Sequence, residues 1–470
     1  MKNARFRPLP SARVAGWTWF RLLLTAALGA RASVAGAAPW VTGYYPGWEQ
    51  SSLPATNLDF STLTQVIHFS VVPQADGGLD TGANFISPAG SAAVVSAAHA
   101  AGRKALICVG GSESESAFQG ATSTTNLAGF IGNLTNFLAA NNYDGVDIDW
   151  EPLPSTDLPL YTNLVIGLRS ALNTFPAHKL LTVAAGAYPP WGDSATADYV
   201  MFANLQAQFD QINIMTYDLS GPYDGWVTWF NSPLYDGGYR FPSSGGLVPS
   251  VEGAVDNFLT NGVSAARLGI GIAFYGYLWT GGSGTSRTCI TGPRQSWTNA
   301  PTATALSYQN IMAGYYQTNC YHWDTNAQAA YLGVTNAVPT NNQFISYDDA
   351  HTCAAKASYV RNRALGGLMI WELAQDHSGA QPSPLLQAVH QALATPGSVA
   401  LEKSGAEVSL TFDSAALGSY RIEYTSNLTT AAWSTLLVTN VSGAGGPLSI
   451  SAAGATSDQP VRFYRIQTPP

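Results

Sequence analysis

Charge is scarce in this sequence. Lysine, arginine, aspartate and glutamate make up 11% of its 470 residues, and the net charge is −8. No lysine- or arginine-rich run occurs beyond the first residues, which argues against nucleic acid as a partner, because phosphate binding relies on basic patches. Cysteine is also rare, with Cys108, Cys289, Cys320 and Cys353 alone, and no Cys/His cluster has zinc-site spacing. Cys108 sits in the apolar run 105–109 and reads as a buried free thiol. The other three fall in one later region, so at most one pair can form among them, and the sequence does not choose it. After the N-terminal region no apolar stretch is long enough to cross a bilayer, so no membrane partner is expected.

What is present begins with an export-like leader. Arg5, Arg7 and Arg13 precede a short apolar run at 22–30, and Ala35-Gly36-Ala37 offers a small-residue cleavage pattern. Residues 1–37 therefore read as a signal peptide and the chain as secreted, either extracellular or at the cell surface. Such a destination permits disulfides.

Short β-rich apolar runs recur at 40–45, 65–72, 104–109, 143–150, 179–186, 209–217, 268–275 and 366–371. Eight is the number that closes a parallel barrel. Most are apolar throughout, as strands covered on both faces are. Amphipathic helical patterns lie between them at 89–101, 127–140, 158–175 and 251–261. The fold class expected is α/β, a (β/α)8 TIM barrel over 38–395. The stretch 278–344 is too long for one βα connection and reads as a small inserted domain over one end of the barrel. A helical pattern at 384–394 is followed by Thr395-Pro396-Gly397, a linker, and 396–470 alternates like a small β-sandwich.

The chemistry concentrates in Tyr143-Asp144-Gly145-Val146-Asp147-Ile148-Asp149-Trp150-Glu151. Apolar and acidic residues alternate here. On a strand, Asp147, Asp149 and Glu151 share one face and Val146, Ile148 and Trp150 the other. Stacked carboxyls repel and lose solvation, so such a ladder is expected to serve proton chemistry rather than stability. A metal site or an acidic strand end facing solvent are the plainer alternatives.

Working residues of parallel barrels stand at the C-terminal strand ends. Tyr44, Tyr45 and Trp48 occupy that place after the first strand and Trp191 after the fifth. Met215, Tyr217 and Asp218 end the sixth strand, and Trp226 and Trp229 follow in its loop. Tyr275 ends the seventh and Trp371 the eighth. With 13 Trp and 22 Tyr, such a rim around carboxylic acids suits a carbohydrate, whose flat faces stack on indoles.

The ladder, with Gly43-Tyr44-Tyr45, Met215-Thr216-Tyr217-Asp218, Phe274-Tyr275-Gly276 and residues 366–371, resembles family 18 of the glycoside hydrolases, the family of many chitinases, over roughly 40–395. Segments 323–324 and 344–349 resemble the α+β insertion of its deep-cleft chitinases. The resemblance implies hydrolysis of β-1,4 N-acetylglucosamine linkages in chitin or chito-oligosaccharides. It assigns the general acid to Glu151, the acetamido group of the substrate to Asp149, and the tuning of Asp149 to Asp147. Tyr217 would bond the acetamido carbonyl. Asp218 and Met215 would shape the pocket, and Trp371 would form its floor. Tyr44, Tyr275, Trp191 and Trp226 complete the expected substrate-binding set. No cofactor or metal is implied, and a monomer is expected. An endo-β-N-acetylglucosaminidase acting on N-glycans and a non-catalytic chitin-binding lectin remain alternatives.

One departure stands out. The family often carries a Ser that bonds the innermost acid, where this chain has Cys108, and a thiol is the weaker donor. Bonding to Asp147 is therefore expected to be weak. Asp144 reads as structural. Segments 420–424 and 462–465 resemble a terminal domain recurring on exported bacterial proteins, whose role is polymer binding, attachment or spacing. Trp433 there is a candidate sugar platform or a core residue.

Overall fold

A computed structural model describes residues 38–187, 193–283, 290–377, 383–394, 399–404, 407–414, 419–426, 433–440, 446–452 and 463–467. The expected leader, Trp191, Cys289 and the linker at 395–397 lie outside the described residues. Among the described residues no helix is long and apolar enough to cross a membrane.

Eight parallel strands close into a barrel: Trp40–Pro46, Gln65–Pro73, Lys104–Gly111, Gly145–Trp150, Leu180–Gly186, Gln211–Met215, Leu268–Ala273 and Gly367–Trp371. The first pairs with both the second and the eighth, so this sheet has no open edge. Helices follow most strands. Leu127–Ala140 and Pro384–Ala394 match the expected helices residue for residue, and Pro88–Ala100, Leu158–Leu172 and Val251–Thr260 do so within a few residues. The helices Asp193–Leu205 and Ala350–Asn362 lack a clear apolar stripe in the sequence.

The alternation of each strand sorts its side chains into two separate cores. Val146, Ile148 and Trp150 join the large cluster between strands and helices. Tyr44, Ile67, Phe69, Leu106, Cys108, Tyr217 and Met369 form another inside the barrel. Below them the lumen is plugged by a polar layer. Thr42 Oγ1 donates to Gln211 Oε1 (2.9 Å), Gln65 Nε2 to Thr42 Oγ1 (2.5 Å) and Trp40 Nε1 to Asn213 Oδ1 (3.0 Å). With its base sealed, the barrel is open to ligand only at the C-terminal strand ends.

Two boundaries differ from expectation. The seventh strand stops at Ala273, and Tyr275 starts a new strand, Tyr275–Ser283. That strand joins Asn299–Ser307, Gln343–Tyr347, Ala329–Val334 and Tyr321–Asp324 in a five-stranded antiparallel sheet, with helix Tyr308–Gly314. Apolar residues run unbroken through the junction, so composition hides the change of sheet. The sixth strand ends at Met215, and Asp218 adopts a positive φ of 56° that turns the chain out of the barrel.

After the barrel, two three-stranded antiparallel sheets form, Val399–Ser404/Glu407–Ser414/Gly446–Ala452 and Ser434–Asn440/Ser419–Thr425/Phe463–Gln467. Phe412 and Tyr420 meet across them with ring centroids 5.0 Å apart. The guanidinium of Arg465 lies 4.3 Å from the centre of the Trp433 ring, while its Nε bonds Glu423 (2.7 Å). Arginine, not solvent, thus covers a face of that indole.

One buried ion pair ties the insertion to the barrel. Lys356 Nζ lies 2.5 Å from Asp348 Oδ2 and donates to Ser232 Oγ, with both charged side chains almost fully enclosed. Asp348 in turn accepts from the backbone N–H of Ala273 (3.3 Å). Removing one partner of such a pair leaves an uncompensated buried charge. Lys356→Ala is expected to lower stability by about 3–5 kcal/mol, read as the shift in a urea unfolding curve; an unchanged midpoint contradicts this role.

Candidate active site

The acid ladder enters the barrel as its alternation dictates. Asp147 is fully buried and Asp149 almost so. Asp147 Oδ2 accepts from Tyr44 Oη (2.8 Å) and Oδ1 from Thr182 Oγ1 (2.5 Å). The Cys108 thiol bonds the same carboxyl. The expected weakness at this end is therefore absent, because two hydroxyls flank the thiol. Burial pushes Asp147 up to about 6, against the pull of these donors.

Asp149 hydrogen-bonds Glu151, so one proton bridges the two carboxyls. Burial, then Glu151 and Asp147, push Asp149 well above the usual range. Glu151 is raised too, by burial and by Asp218, with the bond to Asp149 opposing the rise. No N–H or O–H of the protein reaches Asp149 Oδ1. The backbone of Glu151 is clamped from the third-strand loop: Ser114 N donates to Glu151 O (2.8 Å) and Glu151 N to Ser114 Oγ (3.3 Å). Gly110 makes this approach possible. Its φ is +110°, and a Cβ there would stand 2.0 Å from Asp149 O.

Tyr217 borders the acids, and its hydroxyl donates to Met369 Sδ (3.4 Å), a weak acceptor. Gly271 leaves the space its ring fills, since a Cβ there would stand 2.7 Å from it. Asp218 accepts from Tyr275 Oη (2.6 Å) and bonds Tyr277 as well. Its backbone N donates to Asn231 Oδ1 (2.8 Å). Trp371 packs edge-on against Phe69 (4.7 Å) and tilted against Tyr44 (5.6 Å). Met215 packs on the same interior cluster.

Asp147, Asp149, Glu151, Tyr217, Tyr44, Asp218, Tyr275, Met215 and Trp371 thus converge. Trp226 does not join them; it packs on a neighbouring cluster against Phe241 (4.7 Å). Trp229 is no rim residue: it is fully buried, with Nε1 bonded to Pro249 O. Tyr45 points outward by strand alternation and its hydroxyl bonds Leu53 O. Asp144 lies at the opposite end of its strand, held by Ala105 N (2.9 Å), His99 Nε2 (2.8 Å) and Lys104 Nζ (3.0 Å), so its role is structural. Thr182, Tyr277, Ser114 and Met369 were not singled out in the sequence. Thr182 alone left a trace, a hydroxyl amid the apolar fifth strand.

The Glycosyl hydrolases family 18 description matches residues 41–376. The chain belongs to that family. Chitinase A1 of Niallia circulans is 34% identical over 303 residues, 58% of this family 18 chain and 41% of that protein. A probable endochitinase of Caenorhabditis elegans is 30% identical over 312 residues, 62% and 48% of the two chains. This chain thus spans less than half the length of either relative. In structure, the Ostrinia furnacalis group IV chitinase in complex with allosamidin superposes with a TM-score of 0.63 at 20% identity, covering 76% of this chain and 99% of that one. That likeness speaks to the fold.

Beside the ladder, burial pushes Glu372 up to about 8 and Asp376 up to about 7. Free carboxyls titrate near 4, so the folded chain binds these protons more tightly than the unfolded one. Their contribution to stability is present at low pH and is lost as pH rises from about 4 through about 8. The thermal midpoint is expected to fall between pH 5 and pH 8, and Glu372→Gln should flatten that fall. A midpoint that rises over this range in the unaltered chain contradicts the assignment.

Proposed function

We propose that this chain is an exported chitinase that cleaves β-1,4 N-acetylglucosamine linkages with retention, using the substrate's own acetamido group. The observation that carries this is the proton shared by Asp149 and Glu151 beside a hydrogen-bonded Asp147. Glu151, kept protonated by burial, donates to the glycosidic oxygen as the C1–O bond breaks. The acetamido oxygen of the same sugar attacks C1 and forms an oxazolinium ion. Asp149 has an oxygen that no protein donor reaches, and it receives the acetamido N–H and balances the positive charge. Asp147, held by Tyr44 and Thr182, lies behind it and tunes its charge. The Tyr217 hydroxyl gives up little in leaving a sulfur for the acetamido oxygen. Trp371 offers its indole to the sugar face. Water then adds to C1 and passes its proton to Glu151, which restores the acid.

The family, the chitinase names of its relatives and the insertion beside the site support this reading. Asp218 is occupied by two phenols, which fits a shaping role rather than that of a nucleophile. Export rests on the leader-like composition of residues 1–37.

Glu151→Gln is expected to lower kcat on chito-oligosaccharides by about 10²–10⁴-fold, the worth of a positioned general acid, with binding retained. Asp149→Asn should lower kcat by about a hundredfold or more, since it removes the charge facing the cation. Full activity in either variant overturns the mechanism, and cleavage confined to a high-mannose glycan control moves the substrate to N-glycans. Activity should also survive EDTA; its loss would return the acid cluster to metal chemistry.

A further inference from the structure

The loop after the sixth strand and the insertion enclose a second cavity, of about 400 Å³, that the mechanism leaves unused. That volume falls within the range of small-molecule sites. Its walls are Trp226 and Trp297, with Asp224, Ser243, Ser296 and Thr298 among the polar groups. Both indoles are partly buried against one apolar cluster behind the cavity, Trp226 on Phe241 and Trp297 on Trp279 (6.2 Å). They are therefore anchored aromatic surfaces rather than loose side chains.

The walls are also fixed to each other. Thr228 N donates to Gln295 O (2.9 Å), Gln295 N to Thr228 Oγ1 (2.9 Å), and Thr228 Oγ1 to Gly292 O (2.7 Å). Ser243 Oγ donates to Gly225 O (2.5 Å), where a φ of +76° turns the loop. Arg294 pairs with Asp324 (2.5 Å) and lies over the Trp229 ring (5.0 Å). A cavity braced in this way loses little entropy when it binds a ligand.

Side chains join this cavity to the acids. Tyr277 bonds Asp218, Tyr223 lies within electrostatic reach of Tyr277, and the Tyr223 and Trp226 rings meet edge-on at 5.0 Å. Indole walls with a carboxylate and hydroxyls recognise a sugar: the rings take its C–H face, and the polar groups take its hydroxyl and amide N–H groups.

We propose that this cavity is a distal sugar subsite, which holds a unit of the same chito-oligosaccharide several residues from the bond broken at Glu151. The inference rests on the hydrolase reading. Occupying it fixes the chain only when the chain is long enough to reach, so the site sets chain-length preference and leaves the chemistry alone.

The test compares Trp297→Ala, Trp297→Phe and Asp224→Ala with the unaltered chain on N-acetylglucosamine oligomers from two to eight units. Trp297→Ala should lower kcat/KM about five- to tenfold on the longest oligomers, the worth of one stacking contact. It should leave the shortest cleaved oligomer within about twofold, a ratio far below the tenfold that corresponds to 1.4 kcal/mol. Trp297→Phe should restore most of the loss. Asp224 is exposed, so Asp224→Ala keeps the test open should the tryptophan variant fail to fold, and it should show the same length dependence. Equal effects at every length, or none, overturn the subsite while the hydrolase stands. An unaltered chain that turns over no oligomer overturns the hydrolase reading, and the subsite with it.

Discussion

Three carboxyl groups two residues apart on one buried strand face cannot all carry charge, and the surrounding structure is arranged around that constraint. A proton bridges Asp149 and Glu151, and Asp147 is steadied by Tyr44, Thr182 and Cys108. Each support comes from a different strand of the barrel: Tyr44 from the first, Cys108 from the third and Thr182 from the fifth. Closure of the barrel brings them to one carboxyl. The polar plug below and the tyrosines around the acids keep the dielectric low, and this keeps the proton in place at neutral pH. An open sheet could present the same ladder, but it could not surround it.

Backbone constraints serve the same end. Gly110 lets the third strand press against Asp149 O, and Ser114 then holds Glu151 from both sides of its peptide. Gly271 gives the Tyr217 ring its place inside the barrel. The precision of the acids thus comes from close packing of main chain as much as from their own bonds, as preorganised sites require.

Much of this could be read in the sequence. The period of two in 145–151 placed the acids inside and Trp150 outside, because alternation on a strand is nearly independent of context. Strand order and most helices followed from apolar runs of the right length. Ala350–Asn362 did not, because its inner face carries Lys356, a residue that reads as solvent-facing until Asp348 is found opposite. Trp229 and Tyr45 were misplaced for the converse reason: large aromatics look alike on a rim and in a core. Thr182 and Met369 act through partners far away in sequence, and no local pattern carries that information. At Cys108, comparison with a motif pointed to a missing donor, whereas the fold supplies that donor from another strand.

The strands that begin and end the insertion are paired with each other, Gly276 opposite Tyr347, directly above the barrel. Once that neck forms, the seventh and eighth strands are joined by an effectively short connection despite the long segment between them. The entropy of closing that segment is met inside the insertion by its own hydrogen bonds, so it does not burden the final pairing of the eighth strand with the first. Chain length added beyond the neck is then nearly neutral for barrel closure. The insertion can change in size, and with it the depth of the cleft, while the acids beneath stay where they are.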